Sequence, residues 1–170
     1  LLQVFNAYNN NLSSLDFSNN PLLETCSIFN NNLSSLDFSN NPLLTTLQAY
    51  NNSIANINLT NCANLETLAV YINQISSINL NSCVNLNNLR LQSNQIIDLD
   101  ISNNTKINYL ACFNNQLNAA VNSQLLIDLD SHGLSNGYLQ SSIYGGGTLT
   151  TAGLAAKSAL LLKGWTIVGL

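Results

Sequence analysis

The chain has 170 residues, room for one domain with a continuous core, and 46% of them are hydrophobic. Only 7% are charged, against roughly 25% in an average soluble protein, and Asn, Ser and Thr fill the difference. A net charge of −4, with four scattered Lys and Arg, excludes nucleic acid as the expected partner, and no apolar run approaches the ~20 residues that membrane insertion needs.

A repeat dominates the chain from its first residues. The segment Leu2 to Leu12 returns 21 residues later as Leu23 to Leu33, then as Leu44 to Ile54, Leu65 to Ile75, Leu86 to Ile96 and Ile107 to Leu117. Its pattern is L-x-x-L-x-L-x-x-N-x-L. Between these copies lies a second, looser one: Leu12 to Pro21, Leu33 to Pro42, Ile54 to Ala63, Ile75 to Val84 and Ile96 to Thr105. The period therefore splits into halves of 10 and 11 residues, and each coil should carry two extended segments on opposite sides of a flattened solenoid.

Alternation in L-x-L points the Leu slots inward and the x slots outward. If coils stack about 4.8 Å apart, same-slot residues form ladders. The inward ladders are Phe5, Cys26, Leu47, Leu68, Leu89, Leu110 and Leu12, Leu33, Ile54, Ile75, Ile96, Leu117. One coil cannot bury its apolar side alone, so stability must come from stacking. At the turns stands an Asn column, Asn10, Asn31, Asn52, Asn73, Asn94 and Asn115, whose amides should satisfy free backbone groups. The second half has a counterpart: Asn20, Asn41, Cys62, Cys83 and Asn104.

After Leu117 the period breaks. Val121, Leu125, Leu126 and Leu129 predict an amphipathic helix ending at Gly133. Asn136-Gly137 marks a turn and Gly145-Gly146-Gly147 a loop. Thr150 or Thr151 caps a second helix running through Lys163, with Gly164 as its stop, and Trp165 to Val168 reads as a final strand. The expected organisation is a solenoid over 1–117, about 5.5 repeats, and a capping segment over 118–170 with two helices and a short strand. The fold class is thus a mainly parallel β solenoid with a small α+β C-terminal cap. The chain contains no Met and Leu1 opens inside a repeat, so a processed or incompletely represented protein with an uncapped first coil is expected.

The repeat resembles leucine-rich repeats, specifically the nested 21-residue subtype called IRREKO found in bacterial secreted and surface proteins. The segments Leu110 to Leu117 and Leu33 to Asn41 carry the likeness to its two halves, and the resemblance covers residues 1–120. It implies a protein-interaction or adhesion role outside the cell. Ala152 to Lys157 with Lys163 to Thr166 is also similar to tails that follow repeats in bacterial and phage surface proteins. That keeps a second expectation beside the first: a structural subunit of a surface filament, sheath or phage fibre, self-associating through solenoid ends or faces, with the virion as its location.

The strongest functional signal is an outward aromatic column: Tyr8, Phe29, Tyr50, Tyr71 and Phe113, with Gln92 in the fifth slot. Beside it run Asn6, Ser27, Gln48, Ala69, Arg90 and Ala111, then Val4, Thr25, Thr46, Thr67, Asn88 and Tyr109. The expected binding face is Tyr8, Phe29, Tyr50, Tyr71, Arg90, Gln92, Tyr109 and Phe113, suited to a protein or carbohydrate surface. The bland alternative is a ladder of rings that only stack on one another. The regular threonines lack a second Thr rank, which disfavours an ice-binding surface.

Other chemistry has little to work with. The column Asp16, Asp37, Asn58, Asn79 and Asp100 suggests calcium between coils, but neutral Asn at two slots favours a solvated polar face. Asp128 to Gly133 starts like a calcium loop, but Leu139 stands where the loop needs an acid, so no metal is expected. Cys26, Cys62, Cys83 and Cys112 read as buried thiols, with no zinc spacing. His132 is the only histidine, and Glu24 and Glu66 lie two coils apart, about 10 Å. Neither catalysis nor a cofactor is expected. The sequons at Asn11, Asn32, Asn51, Asn58 and Asn103 follow from the abundance of Asn beside Ser and Thr.

Overall fold

The computed structural model describes residues 1–170. In chain order its elements are β1 (Val4–Asn6), β2 (Thr25–Ser27), β3 (Ser35–Asp37), β4 (Thr46–Gln48), β5 (Asn56–Asn58), β6 (Thr67–Ala69), β7 (Asn88–Arg90), β8 (Tyr109–Ala111), α1 (Ala119–Ser131), β9 (Tyr138–Gln140), α2 (Thr151–Leu162) and β10 (Thr166–Val168). Each strand is the x-L-x triplet of one coil, or its equivalent. One central side chain points into the core and two flanking ones point outward.

The first-half triplets form a parallel sheet in the order β1-β2-β4-β6-β7-β8-β9-β10. From β1 to β8 every partner is the residue one period away: Phe5 lies opposite Cys26, Cys26 opposite Leu47, Leu68 opposite Leu89, and Leu89 opposite Leu110. The backbone ladder runs past the triplets. Ile28 N–H donates to the Gln48 carbonyl at 2.8 Å, and Asn30 N–H donates to the Tyr50 carbonyl at 3.1 Å. The main chain on both sides of each outward aromatic residue is thereby held in register.

The inward slots form one apolar core from Phe17 to Trp165. Cys26, Leu47, Leu68, Leu89 and Leu110 are buried, as are Leu33, Ile54, Ile75, Ile96 and Leu117. Phe5 and Leu12 of the first coil are only partly covered.

The second half of the period pairs less than the first. Only β3 and β5 pair as strands there; the equivalent residues of the other coils do not. Past the β3 and β5 triplets a side chain takes the next free backbone N–H: Ser39 N–H donates to Asp37 Oδ1 at 2.8 Å and Thr60 N–H to Asn58 Oδ1 at 3.1 Å.

The terminal segment differs from expectation in one respect. It contributes two helices and two strands, β9 being one more than the helix and turn signals predict. Tyr138, Leu139 and Gln140 pair with Tyr109, Leu110 and Ala111, and β10 pairs with β9. The sheet therefore passes unbroken from the coils into the cap. Asn118 starts α1, its Oδ1 accepting from Ala120 and Val121 N–H at 2.9 and 3.1 Å. Thr150 starts α2 by accepting from Gly153 N–H. The two helices pack at Gly153, where an added Cβ would lie 2.7 Å from that of Ser123. Trp165 is buried with its ring against Gly137, and its indole N–H donates to the Leu134 carbonyl. Buried Asn122 joins cap to coil: its amide donates to the Leu117, Asn118 and Ser142 carbonyls and accepts from Ser141 Oγ.

Candidate functional site

The outward face of the eight-stranded sheet carries the aromatic column. Tyr8, Phe29, Tyr50 and Tyr71 stack in sequence, with ring centroids 4.6, 4.4 and 4.4 Å apart and planes within 8° of parallel. The spacing follows from the backbone. Equivalent residues are one strand spacing apart, about 4.8 Å, which brings parallel rings into contact with little adjustment. Tyr8 is 47% exposed, whereas Phe29, Tyr50 and Tyr71 are half-buried because each ring covers its neighbours. Burial and the adjacent Tyr50 push the Tyr71 phenol above its ordinary pKa. Gln92 interrupts the stack, and its Oε1 is buried without a hydrogen-bond partner. Phe113, half-buried, stands beyond the break.

The turns behind this column explain why Asn-Asn recurs. The residue after each slot of the column, Gln92 included, is left-handed: φ is 56° at Asn9, 56° at Asn30, 53° at Asn51, 53° at Ile72, 57° at Ser93 and 51° at Asn114. Asn tolerates that region better than most side chains. The exposed amides of this rank also link coils, Asn30 Nδ2 donating to Asn9 Oδ1 and Asn51 Nδ2 to Asn30 Oδ1.

The next residue is the inward Asn column. Asn73 is representative: its Nδ2 donates to the Ala49 and Val70 carbonyls at 3.1 and 3.0 Å, and its Oδ1 accepts from Ile54 N–H at 2.9 Å. Asn31, Asn52, Asn94 and Asn115 repeat this pattern one coil at a time. Asn10 reaches only the Ala7 and Tyr8 carbonyls of its own coil.

Beside the aromatic stack lies a shallow depression of about 330 Å3, lined by Gln48, Tyr50, Thr67, Ala69, Tyr71, Asn88 and Arg90. It exists because Ala69 is small where Gln48 and Arg90 are long. The Arg90 guanidinium carbon sits 4.8 Å from the Tyr109 ring centroid, and Arg90 Nε donates to Asn88 Oδ1 at 3.1 Å. Tyr138 of β9 stacks on Tyr109 from the other side at 4.9 Å. Sequence reading had placed Arg90 and Tyr109 on this face but missed Tyr138, because it lies 29 residues after Tyr109, off the 21-residue period.

The polar column on the opposite side is structural in detail. Asp16, Asp37, Asn58, Asn79 and Asp100 each accept, through Oδ1, the N–H of the residue two positions on. An acceptor oxygen is all the slot requires, which accounts for the mixture of Asp and Asn. These bonds hold the Asp16, Asp37 and Asp100 carboxyls below their ordinary pKa. A second depression lies over β3 and β5, between Leu15 and Asn79. No group of three or more His, Cys, Asp or Glu is placed to hold a metal ion.

The four cysteines are free and buried. Burial pushes the thiols of Cys26, Cys62 and Cys112 up to about 12 and that of Cys83 to about 11. Cys62 fills an Asn slot and its thiol reaches the Phe38 carbonyl at 3.5 Å, in place of the amide that Asn41 and Asn104 use. His132 is the C-cap of α1, and neither ring nitrogen has a hydrogen-bond partner.

No protein-family model matches the chain, and no curated protein matches it. Among solved structures it is similar to the functional domain of InlJ from Listeria monocytogenes, described as including a cysteine ladder. The TM-score is 0.63 at 24% identity, over 91% of this chain and 37% of that one. It is also similar to an internalin (inlF) from Listeria monocytogenes, with a TM-score of 0.58 at 20% identity, over 95% of this chain and 58% of that one. The chain thus spans a little over a third of the first and somewhat over half of the second. With its 21-residue coils and parallel sheet, the molecule is a leucine-rich-repeat solenoid closed by a small cap of two helices.

Proposed function

We propose that this chain is a non-catalytic protein-binding module whose contact surface is the outward face of the eight-stranded sheet. The observation that carries the proposal is the four-ring stack of Tyr8, Phe29, Tyr50 and Tyr71 standing beside the depression floored by Ala69. Stacking alone accounts for the rings. It does not account for the open, polar-rimmed hollow next to them. Rigid aromatic side chains flanked by Thr, Gln and Asn offer large contact area and adaptable hydrogen bonds at low entropic cost.

A protein partner suits this geometry better than a carbohydrate. A sugar packs on a ring face, and the interior ring faces of the stack are covered by their neighbours at 4.4–4.6 Å. What remains open is ring edge and polar rim, which suit a peptide surface. The repeat's likeness to secreted and surface proteins supports an extracellular position for the module.

The test is selection of peptides from a random displayed library on the immobilised chain, followed by comparison with the double variant Tyr50→Ala/Tyr71→Ala. The expected outcome is loss of most selected binders with the solenoid's circular dichroism retained. Undiminished binding by the double variant would remove the face from consideration.

A further inference from the structure

Resting on that reading of the face, we infer that the depression beside Tyr71 is a carboxylate subsite: it takes an acidic side chain from an extended segment of the protein partner, clamped by Arg90. Arg90 is the chain's one arginine and the only cation on the outward face of the sheet. The other three cations are engaged elsewhere: Lys106 Nζ donates to Asn85, Lys157 Nζ to the Leu170 carbonyl, and Lys163 Nζ pairs with Asp130. Although the protein carries eight Asp and Glu side chains, none lies within ion-pair distance of Arg90, and none occupies an outward strand slot of the eight-stranded sheet. On the neighbouring coil Glu66 lies immediately before β6, outside the strand.

The guanidinium is also held in place before any partner arrives. Its Nε is bonded to Asn88 Oδ1, and its carbon sits over Tyr109, itself backed by Tyr138. Its two terminal nitrogens have no acceptor in the protein. A planar fork fixed at one edge and free at the other is suited to a two-point bond with a carboxylate. Orienting Arg90 beforehand lowers the entropic cost of binding. The hollow over Ala69 admits the side chain's methylene stem, while the Tyr50 and Tyr71 ring edges border an apolar neighbour in the same segment. The proposed partner feature is therefore an Asp or Glu beside an apolar residue.

A single arginine makes the test direct, because its Nε–H gives one resolvable signal in a heteronuclear NMR spectrum. An acetylated and amidated glutamate–phenylalanine dipeptide is titrated into the full chain through the millimolar range, beside its glutamine counterpart. The expected result is movement of the Arg90 signal and of the Tyr50 and Tyr71 ring signals by the glutamate peptide, with the glutamine peptide about tenfold weaker. Arg90→Gln should abolish the preference, and Arg90→Lys should retain only part of it, since it keeps the charge but not the fork. An unmoved Arg90 signal, or equal affinity for the two peptides, overturns the proposal. Failure here is distinct from failure of the face: displayed peptides that lose binding in Tyr50→Ala/Tyr71→Ala yet are indifferent to Arg90→Gln leave the protein-binding face standing without its acidic specificity.

Discussion

Tyr50 and Tyr71 stack at 4.4 Å with their planes 6° apart, one on each of two adjacent coils. Tyr50 also stacks on Phe29 at 4.4 Å, so it loses two ring contacts when truncated, whereas Tyr8 at the end of the column has one. Tyr50→Ala should lower unfolding stability by about 2 kcal/mol and Tyr8→Ala by less than half of that. Urea titration of the two variants measures the difference, and equal losses would mean that the second ring contact and the burial it brings add nothing.

The Asn column predicts a sharper effect. Asn73→Ala leaves the Ile54 N–H and the Ala49 and Val70 carbonyls without their partner, at about 2–3 kcal/mol. Asn73→Asp keeps the acceptor for Ile54 but turns a carboxylate toward those carbonyls. It should be at least as damaging at neutral pH and partly recover in acid, where a protonated carboxyl donates again. Denaturation of the two variants at neutral and acidic pH checks both statements.

On the opposite side the same chemical swap should be tolerated. Asp16, Asp37 and Asp100 have folded pKa values below the ordinary 3.8, because their carboxylates accept backbone and hydroxyl donors at Ser18, Ser39 and Ser102. A folded pKa below the unfolded one gives stability that is present above 3.8 and is lost as pH falls through the folded values. Exposure to solvent keeps the effect small. The triple variant D16N/D37N/D100N should match the parent at neutral pH, since Asn58 and Asn79 make the same bond, and should show a flatter fall in melting temperature below pH 3.8.

Ile72 offers a gain. It is β-branched, 49% exposed, and held at φ 53° in a rank otherwise occupied by Asn or Ser. That backbone region is costly for a branched side chain. Ile72→Asn should stabilise the protein by about 1 kcal/mol, a rise of roughly 2–4 °C in melting temperature. Scanning calorimetry reads it directly, and an unchanged or lower midpoint would show that Ile72 makes a compensating contact.

Much of this molecule is visible in its letters because a 21-residue period is itself a structural coordinate. Each coil hydrogen-bonds to the next in register, so a residue's slot specifies its neighbours: Leu47 must meet Cys26 and Leu68, and Tyr50 must meet Phe29 and Tyr71. The inward Leu columns and the aromatic rank followed from slot and residue type, whereas the sequence left Thr150 and Thr151 both open as the start of the second helix and the bond from Gly153 N–H selects Thr150. Folding in three dimensions settled the features that escape the period. Tyr138 reaches Tyr109 only because β9 returns to the sheet after α1, and Asn122 finds the Ser142 carbonyl and the Ser141 hydroxyl across that same return. The posture of Arg90 belongs with these, since Asn88 and the Tyr109–Tyr138 pair hold it. Contacts between equivalent positions repeat and can be counted along a chain. Contacts across a single crossover have no second copy, and only packing brings their two ends together.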